Sequence, residues 1–197
     1  MSTILNLLHL ISDKLKHMKY QRRLNECLAN GLTLGHNVTV MHGAFIDPRY
    51  AYLISIGDNC SLSNGVIIVA HDAATFKFTD GYTRLGKVDI KENCYIGTNT
   101  IILPGVTIGP NVLIAAGSVV NKSIPPNSCV AGVPARVYAK FDEFIQKHEE
   151  LIKSRPVFDY KDFNSPSAEF KKKIIKLLDE DPIYVKGFIG KFPWTNT

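Results

Sequence analysis

The chain has 197 residues, 45% hydrophobic and 21% charged, enough for one ordinary domain with a real core and too apolar for a disordered chain. Its formal charge of +5 is modest and dispersed, so a run such as Lys171–Lys173 reads as a solvated helix face and nucleic acid is not an expected partner. No apolar run reaches the roughly 18 residues of a spanning helix.

In chain order, residues 2–30 read as helical, with Ile4, Leu7, Leu8, Ile11, Leu15 and Met18 on one apolar stripe. The stretch has no basic start and no small-residue cleavage site, so it does not read as a signal peptide. A different period follows. Leu34, Val40 and Ile46 step by six, and so do Ile56, Leu62 and Ile68. The two runs are out of phase, so a bend or insertion is expected around residues 47–53. From Ile90 the period is strict: Ile96, Ile102, Ile108, Ile114 and Val120 follow at steps of six.

A period of six fits neither a 3.6-residue helix nor a short alternating strand. It fits a parallel β-helix in which each flat face takes one six-residue unit. Every sixth aliphatic residue then points inward and stacks on its counterpart one coil away. Asn59, Asn93, Asn99 and Asn111 suit the corners, because asparagine tolerates left-handed backbone angles. Between the runs the frame fails. After "GVIIVA" come His71 and Asp72, and no residue through Lys87 keeps the period, so residues 71–87 are expected to leave the coil as a loop.

Cys27, Cys60, Cys94 and Cys129 are widely spaced, without a CxxC pair. They read as buried free thiols of a reducing compartment. His36 and His42 lack the spacing of a zinc site, and no metal is expected. His9, His17 and His148 fall in expected helices. Residues 141–154 carry a helical stripe of Phe141, Phe144, Ile145, His148 and Ile152. A further helix is expected with Ser165 as cap, Pro166 at the first position and Glu169 in the first turn. The expected organisation is a helical segment over 1–31, a β-helix over 32–140 with the inserted loop 71–87, and a helical extension over 141–197. Helices at the ends would cover the open solenoid; a basic N-terminal helix resting on an anionic membrane is the alternative.

The segment "IGTNTIILPGVTIGPNVLIAAGSVVNKSIPPNSCVAGVPARV" (96–137) resembles the hexapeptide-repeat acetyltransferases. The repeat itself, "IILPGVTIG" and the closing "SIPPNSCVAGVPARV" carry the likeness, which extends over about residues 32–140. It is closest to galactoside and maltose acetyltransferases and to O-acetyltransferases of bacterial capsule and lipopolysaccharide assembly. The resemblance implies a left-handed parallel β-helix, a homotrimer, acetyl-CoA as co-substrate and a cytoplasmic enzyme, with membrane association the other possibility. It implies a sugar hydroxyl as acceptor, in a polysaccharide or its lipid-linked or nucleotide-linked precursor.

The resemblance places a catalytic histidine at His71. A sugar hydroxyl is a poor nucleophile at neutral pH, and a neutral imidazole within hydrogen-bond reach takes its proton as the oxygen attacks a thioester carbonyl. Asp72 is the nearest carboxylate and a candidate to orient His71 or bind the acceptor; Asp80 is a second. The galactoside enzymes orient their histidine with a loop glutamate, but Tyr82 occupies that place here. By the same resemblance Thr98 lies beside the pantetheine arm, Ala115 and Ala116 give backbone contacts, Asn121 and Lys122 approach the nucleotide, and Arg136 pairs with a phosphate. Tyr95 matches a tryptophan beside the site. N-acetylation of an amino sugar, acetylation of an antibiotic such as chloramphenicol, and a non-catalytic glycan-binding β-helix remain open as rival readings.

Overall fold

The structure is a computed structural model describing residues 18–19 and 21–187. The apolar stripe expected over residues 4–15, His9, His17 and the aromatic end beyond residue 187 lie outside the described residues. The chain divides into two units, one running to Phe141 and the other beginning at Asp142.

The first unit is built on three parallel sheets that the chain visits in turn. Face A stacks Thr33–Leu34, Ile54–Ile56, Val88–Ile90 and Thr107–Ile108. Face B stacks Thr39–Val40, Ser61–Leu62, Cys94–Ile96, Val112–Ile114 and Ser128–Ala131, and face C stacks Phe45–Ile46, Ile67–Ile68, Ile101–Ile102 and Val119–Val120. The six-residue frame is the inward rung. Ile56 pairs in register with Ile90 and Ile90 with Ile108; Leu62 pairs with Ile96 and Ile96 with Ile114; Ile68 pairs with Ile102 and Ile102 with Val120. All nine are at most 1% exposed, so each contributes on the order of 1.5–3 kcal/mol of burial.

The steps between partners locate the irregularities. Regular neighbours such as Ile102 and Val120 are 18 residues apart. Ile46 and Ile68 are 22 apart, the surplus being the corner at 47–53, which holds a 3-10 turn over Ala51–Leu53. Ile68 and Ile102 are 34 apart, because residues 71–85 leave the coil between them. Both insertions fall at the corner where face C hands over to face A. The corner from A to B is regular. Asn37, Asn59, Asn93, Asn111 and Asn127 all have φ between 54° and 57° there, and each donates its side-chain amide to the next over 2.8–3.4 Å. At the corner from B to C, Asn99 has the same backbone. Gly65 beneath it has φ 68°, and a Cβ placed there would lie 2.1 Å from the Asn99 Oδ1, so the position favours glycine.

The two ends of the coil finish differently. A helix, α1, ends at residue 29; Leu24 and Cys27 pack on the first coil, and the Cys27 thiol donates to the Ile46 carbonyl. At the other end Arg136–Lys140 turns back antiparallel against Ser128–Ala131, which closes the edge of face B.

The second unit holds α2 (Phe141–Ser154), which starts at the unit boundary, and α3 (Ala168–Leu178). The cap of α3 is Ser167, whose hydroxyl accepts from the Phe170 amide, and not Ser165. Pro166 therefore precedes the cap, and Glu169 remains in the first turn. Phe158, Phe163 and Phe170 meet edge to face at 5.3–6.3 Å and form this unit's aromatic centre.

Candidate functional site

The corner between faces C and A is where the repeat fails, and it carries the one histidine–carboxylate pair among the described residues. Residues 71–85 do not form an open loop. His71–Asp72 pairs antiparallel with Arg84–Leu85, and the Gly86 amide donates to the Ala70 carbonyl, so His71 stands at the base of a hairpin anchored on a buried rung.

The partner of His71 is Asp47, a residue that the sequence reading did not single out. Asp47 Oδ2 lies 2.5 Å from His71 Nδ1. The carboxylate is 3% exposed and the imidazole 38%, so one end of the ring is held in the wall and the other faces solvent. Asp47 is itself fixed: Oδ2 accepts from the Ala70 amide and Oδ1 from the Arg49 amide. Its own amide donates to the Ile68 carbonyl. With Nδ1–H committed to the carboxylate, Nε2 keeps its lone pair outward. Tyr50 packs obliquely on the imidazole at 5.2 Å between centroids and limits its rotation.

Asp72 does not fill the orienting role. Its carboxylate accepts from the Ala74 amide at 2.9 Å and faces Arg84 at 3.6 Å. Successive side chains of a strand point to opposite sides, so the neighbour of His71 in sequence is turned away from it. Asp80 sits at the hairpin tip with φ 49°. Asp47, one coil below, left a faint signal: a carboxylate directly after Ile46, an inward rung.

The other candidates fall on two corners. Thr98 and Ala116 are exposed at the corner from B to C, where the Gly117 amide donates to the Thr98 carbonyl. The backbone is close-packed there, since a Cβ on Gly97 would come within 2.6 Å of the Ala116 nitrogen. The Ala115 amide donates to the Val130 carbonyl, and the Ala115 carbonyl accepts from the hydroxyls of Thr100 and Ser118. Arg136, paired with Ala131 at the same end of face B, is exposed and folds one guanidinium nitrogen onto the Ala135 carbonyl. Asn121 and Lys122 are exposed on the His71 side of face C, two coils above it. A single chain thus leaves Thr98 and Ala116 across face C from His71. Tyr95 stands half out of face B and accepts from the Ser63 hydroxyl.

Among the described residues no cluster of His, Cys, Asp and Glu could hold a metal, and no helix is long and apolar enough to cross a membrane. All four cysteines are buried and free. The Cys94 thiol is pushed up, first by its contact with Cys60 and then by burial.

The comparisons agree with this architecture. Residues 87–122 match the bacterial transferase hexapeptide family (six repeats), and residues 54–70 match the hexapeptide repeat of succinyl-transferase. The galactoside O-acetyltransferase of Escherichia coli (strain K12) is 38% identical over 94 residues, 47% of this chain and 46% of that protein. The chain spans about half the length of the curated relatives that it matches. Among solved structures, a maltose O-acetyltransferase from Clostridium difficile 630 aligns with TM-score 0.50 and 38% identity over 56% of this chain and 59% of that one. A hexapeptide-repeat acetyltransferase from Vibrio cholerae, crystallised with acetyl-coenzyme A, aligns with TM-score 0.51 and 27% identity over 56% and 61%.

Proposed function

We propose that this chain, which carries the hexapeptide repeats of bacterial transferases, is an O-acetyltransferase that moves an acetyl group from acetyl-CoA to a sugar hydroxyl. The observation that carries the reading is His71 held by the buried Asp47 with its second nitrogen open. Repeats related to sugar O-acetyltransferases and a neighbour crystallised with acetyl-CoA support it. The coil is read as left-handed from that same kinship.

His71 acts as general base. Nε2 takes the proton of the acceptor hydroxyl as its oxygen bonds to the thioester carbonyl carbon. Asp47 keeps the imidazole in the required tautomer and stabilises the imidazolium that forms, as the aspartate of a catalytic triad does. As the carbon–sulfur bond breaks, the imidazolium returns that proton to the departing thiolate. The products are the acetyl ester and the free thiol, and no acyl-enzyme forms. The small residues at Thr98 and Ala116 leave backbone open to an extended thiol arm, and Lys122 and Arg136 supply charge for phosphates.

Face C supports a homotrimer in which a neighbouring copy completes the site. Its outward residues Phe45, Ile67, Ile101 and Val119 are all apolar. Those of face A, by contrast, are Thr33, Ser55, Asp89 and Thr107. A copy laid on face C covers the apolar column and brings its own corners to either side. The acceptor is read as part of a bacterial polysaccharide or a precursor of one, and the location as cytoplasmic.

The test is thiol release from acetyl-CoA with a panel of galactosides, maltose, amino sugars and chloramphenicol. Release with hydroxyl acceptors, abolished in His71→Ala, is expected. Turnover only with amine acceptors or chloramphenicol overturns the sugar O-acetyl assignment. Neither turnover nor acetyl-CoA binding points to a glycan-binding module.

A further inference from the structure

The bend at residues 47–53 does more than set Asp47 beneath the imidazole. With the end of α1 it walls an open cleft of about 490 Å³, lined by Glu26, Asn30, Pro48, Arg49 and Tyr52. That volume falls within the roughly 300–1,000 Å³ of small-ligand clefts. Asn30 and Gly31 lead into Thr33–Leu34, and Tyr52 leads into Ile54–Ile56, both strands of face A. The cleft therefore lies toward the polar side of the corner, away from the apolar column of face C that the proposed trimer covers.

Two links tie the cleft to His71. Asp47 holds His71 Nδ1 with Oδ2 and the Arg49 amide with Oδ1, so one buried carboxylate sets both the imidazole and the cleft wall. Tyr50 packs on the imidazole at 5.2 Å, and Tyr52 meets Tyr50 edge-on at 6.5 Å. The Tyr52 ring thus stands one aromatic ring beyond the imidazole's own neighbour.

The lining has the chemistry of a carbohydrate site. Tyr52 is 60% exposed, while its Cβ rests against Gly31, where an added Cβ would come within 3.0 Å. The root is fixed and the ring offers a flat apolar body to the C–H face of a pyranose. Asn30 donates Nδ2 to the Pro48 carbonyl at 2.9 Å, which leaves Oδ1 to accept from a hydroxyl. The Glu26 carboxylate accepts and the Arg49 guanidinium donates, and among the described residues neither is engaged in an ion pair. Opposite charges around one cleft select no net charge; they match the donors and acceptors of neighbouring hydroxyls. We propose that this cleft is a subsite for a neutral sugar adjoining the one that His71 serves, so that the acceptor is an oligosaccharide or longer glycan and not a single sugar. Acetyl transfer to that glycan rests on the proposed function; sugar binding in the cleft does not.

The test compares methyl glucoside with maltose and maltotriose, and methyl galactoside with lactose, by thiol release and by saturation-transfer NMR on the full chain. In at least one series kcat/KM should rise about tenfold from one sugar to two. Tyr52→Ala should bring that ratio back to about one, and Tyr52→Phe, which keeps the ring, should preserve it. Arg49→Ala should lower the ratio about threefold or more. These side chains are exposed, and unchanged circular dichroism and melting confirm that the variants fold. Equal kcat/KM for one sugar and two overturns the subsite and leaves the acetyltransferase in place, as does a ratio that Tyr52→Ala does not change. Where no sugar is acetylated, the NMR decides. Saturation of the second sugar's protons, lost in Tyr52→Ala, keeps the cleft as a glycan site and removes the proposed function. No saturation of any sugar overturns both.

Discussion

Two corners of the same coil have opposite histories. Where face A meets face B, five asparagines repeat one conformation and one hydrogen bond from end to end. Where face C meets face A, two of the coils carry insertions, and these hold Asp47, Tyr50, His71 and the hairpin. The inward rungs pass both corners undisturbed: Ile46, Ile68, Ile102 and Val120 remain in register through the insertions. A solenoid therefore separates the two demands. Stacked rungs hold the coil rigid, and a corner outside the stack gains reach without cost to the core.

The sharpest way to break this comparison is to remove the histidine proposed as the base. His71→Ala should lower acetyl transfer by roughly 10²–10⁴ while thermal melting stays close to wild type. A large loss of melting temperature would show that the corner is structural after all. Asp47→Asn tests which carboxylate serves the base. It should cost roughly 10² or more in kcat, measured by thiol release, and Asp72→Asn should cost almost nothing. The reverse ranking would return the role to Asp72.

On the regular side the order is inverted, with stability lost through the fold. Ile96→Ala empties a rung between Leu62 and Ile114 and should cost about 2–5 kcal/mol in denaturant unfolding. At the regular corner, Asn93→Ala puts an ordinary residue at φ 57° and should cost roughly 1–2 kcal/mol. Asn93→Gly should lose less, since glycine accepts the angle but not the ladder.

The smallest effect belongs to the polar face. Burial opposes ionisation of Asp89, yet the Lys91 ammonium and the Ser55 hydroxyl outweigh it and hold the carboxyl below its ordinary value. The folded state thus binds the proton less readily than the unfolded chain. This contribution is full above the unfolded value and fades as pH falls through the folded one. Asp89→Asn should accordingly narrow the difference in melting temperature between neutral and strongly acid solution.

The frame of Ile90 to Val120 was legible in sequence because every rung meets the same local demand, an aliphatic side chain pointing inward every six residues. The asparagine corners were legible for the same reason, and Asn37 and Asn127 extend the set to both ends. Ser165 was misread as a cap because two serines flank Pro166, and only the geometry decides which hydroxyl reaches an amide three residues on. Ala115 and Ala116 looked alike as small residues; which one accepts the corner hydroxyls depends on the coils above and below.

What the sequence by itself determined is the repeat, its two interruptions and the histidine at the start of the second. These depend on side-chain type at fixed spacing, which is local. What only the tertiary structure decided is the company His71 keeps. Asp47 is 24 residues away along the chain. The 22-residue register between Ile46 and Ile68 sets it directly beneath the imidazole, and strand alternation turns the adjacent Asp72 outward. Contact between coils is fixed by the length of each turn, and that length is known only when the strands have paired.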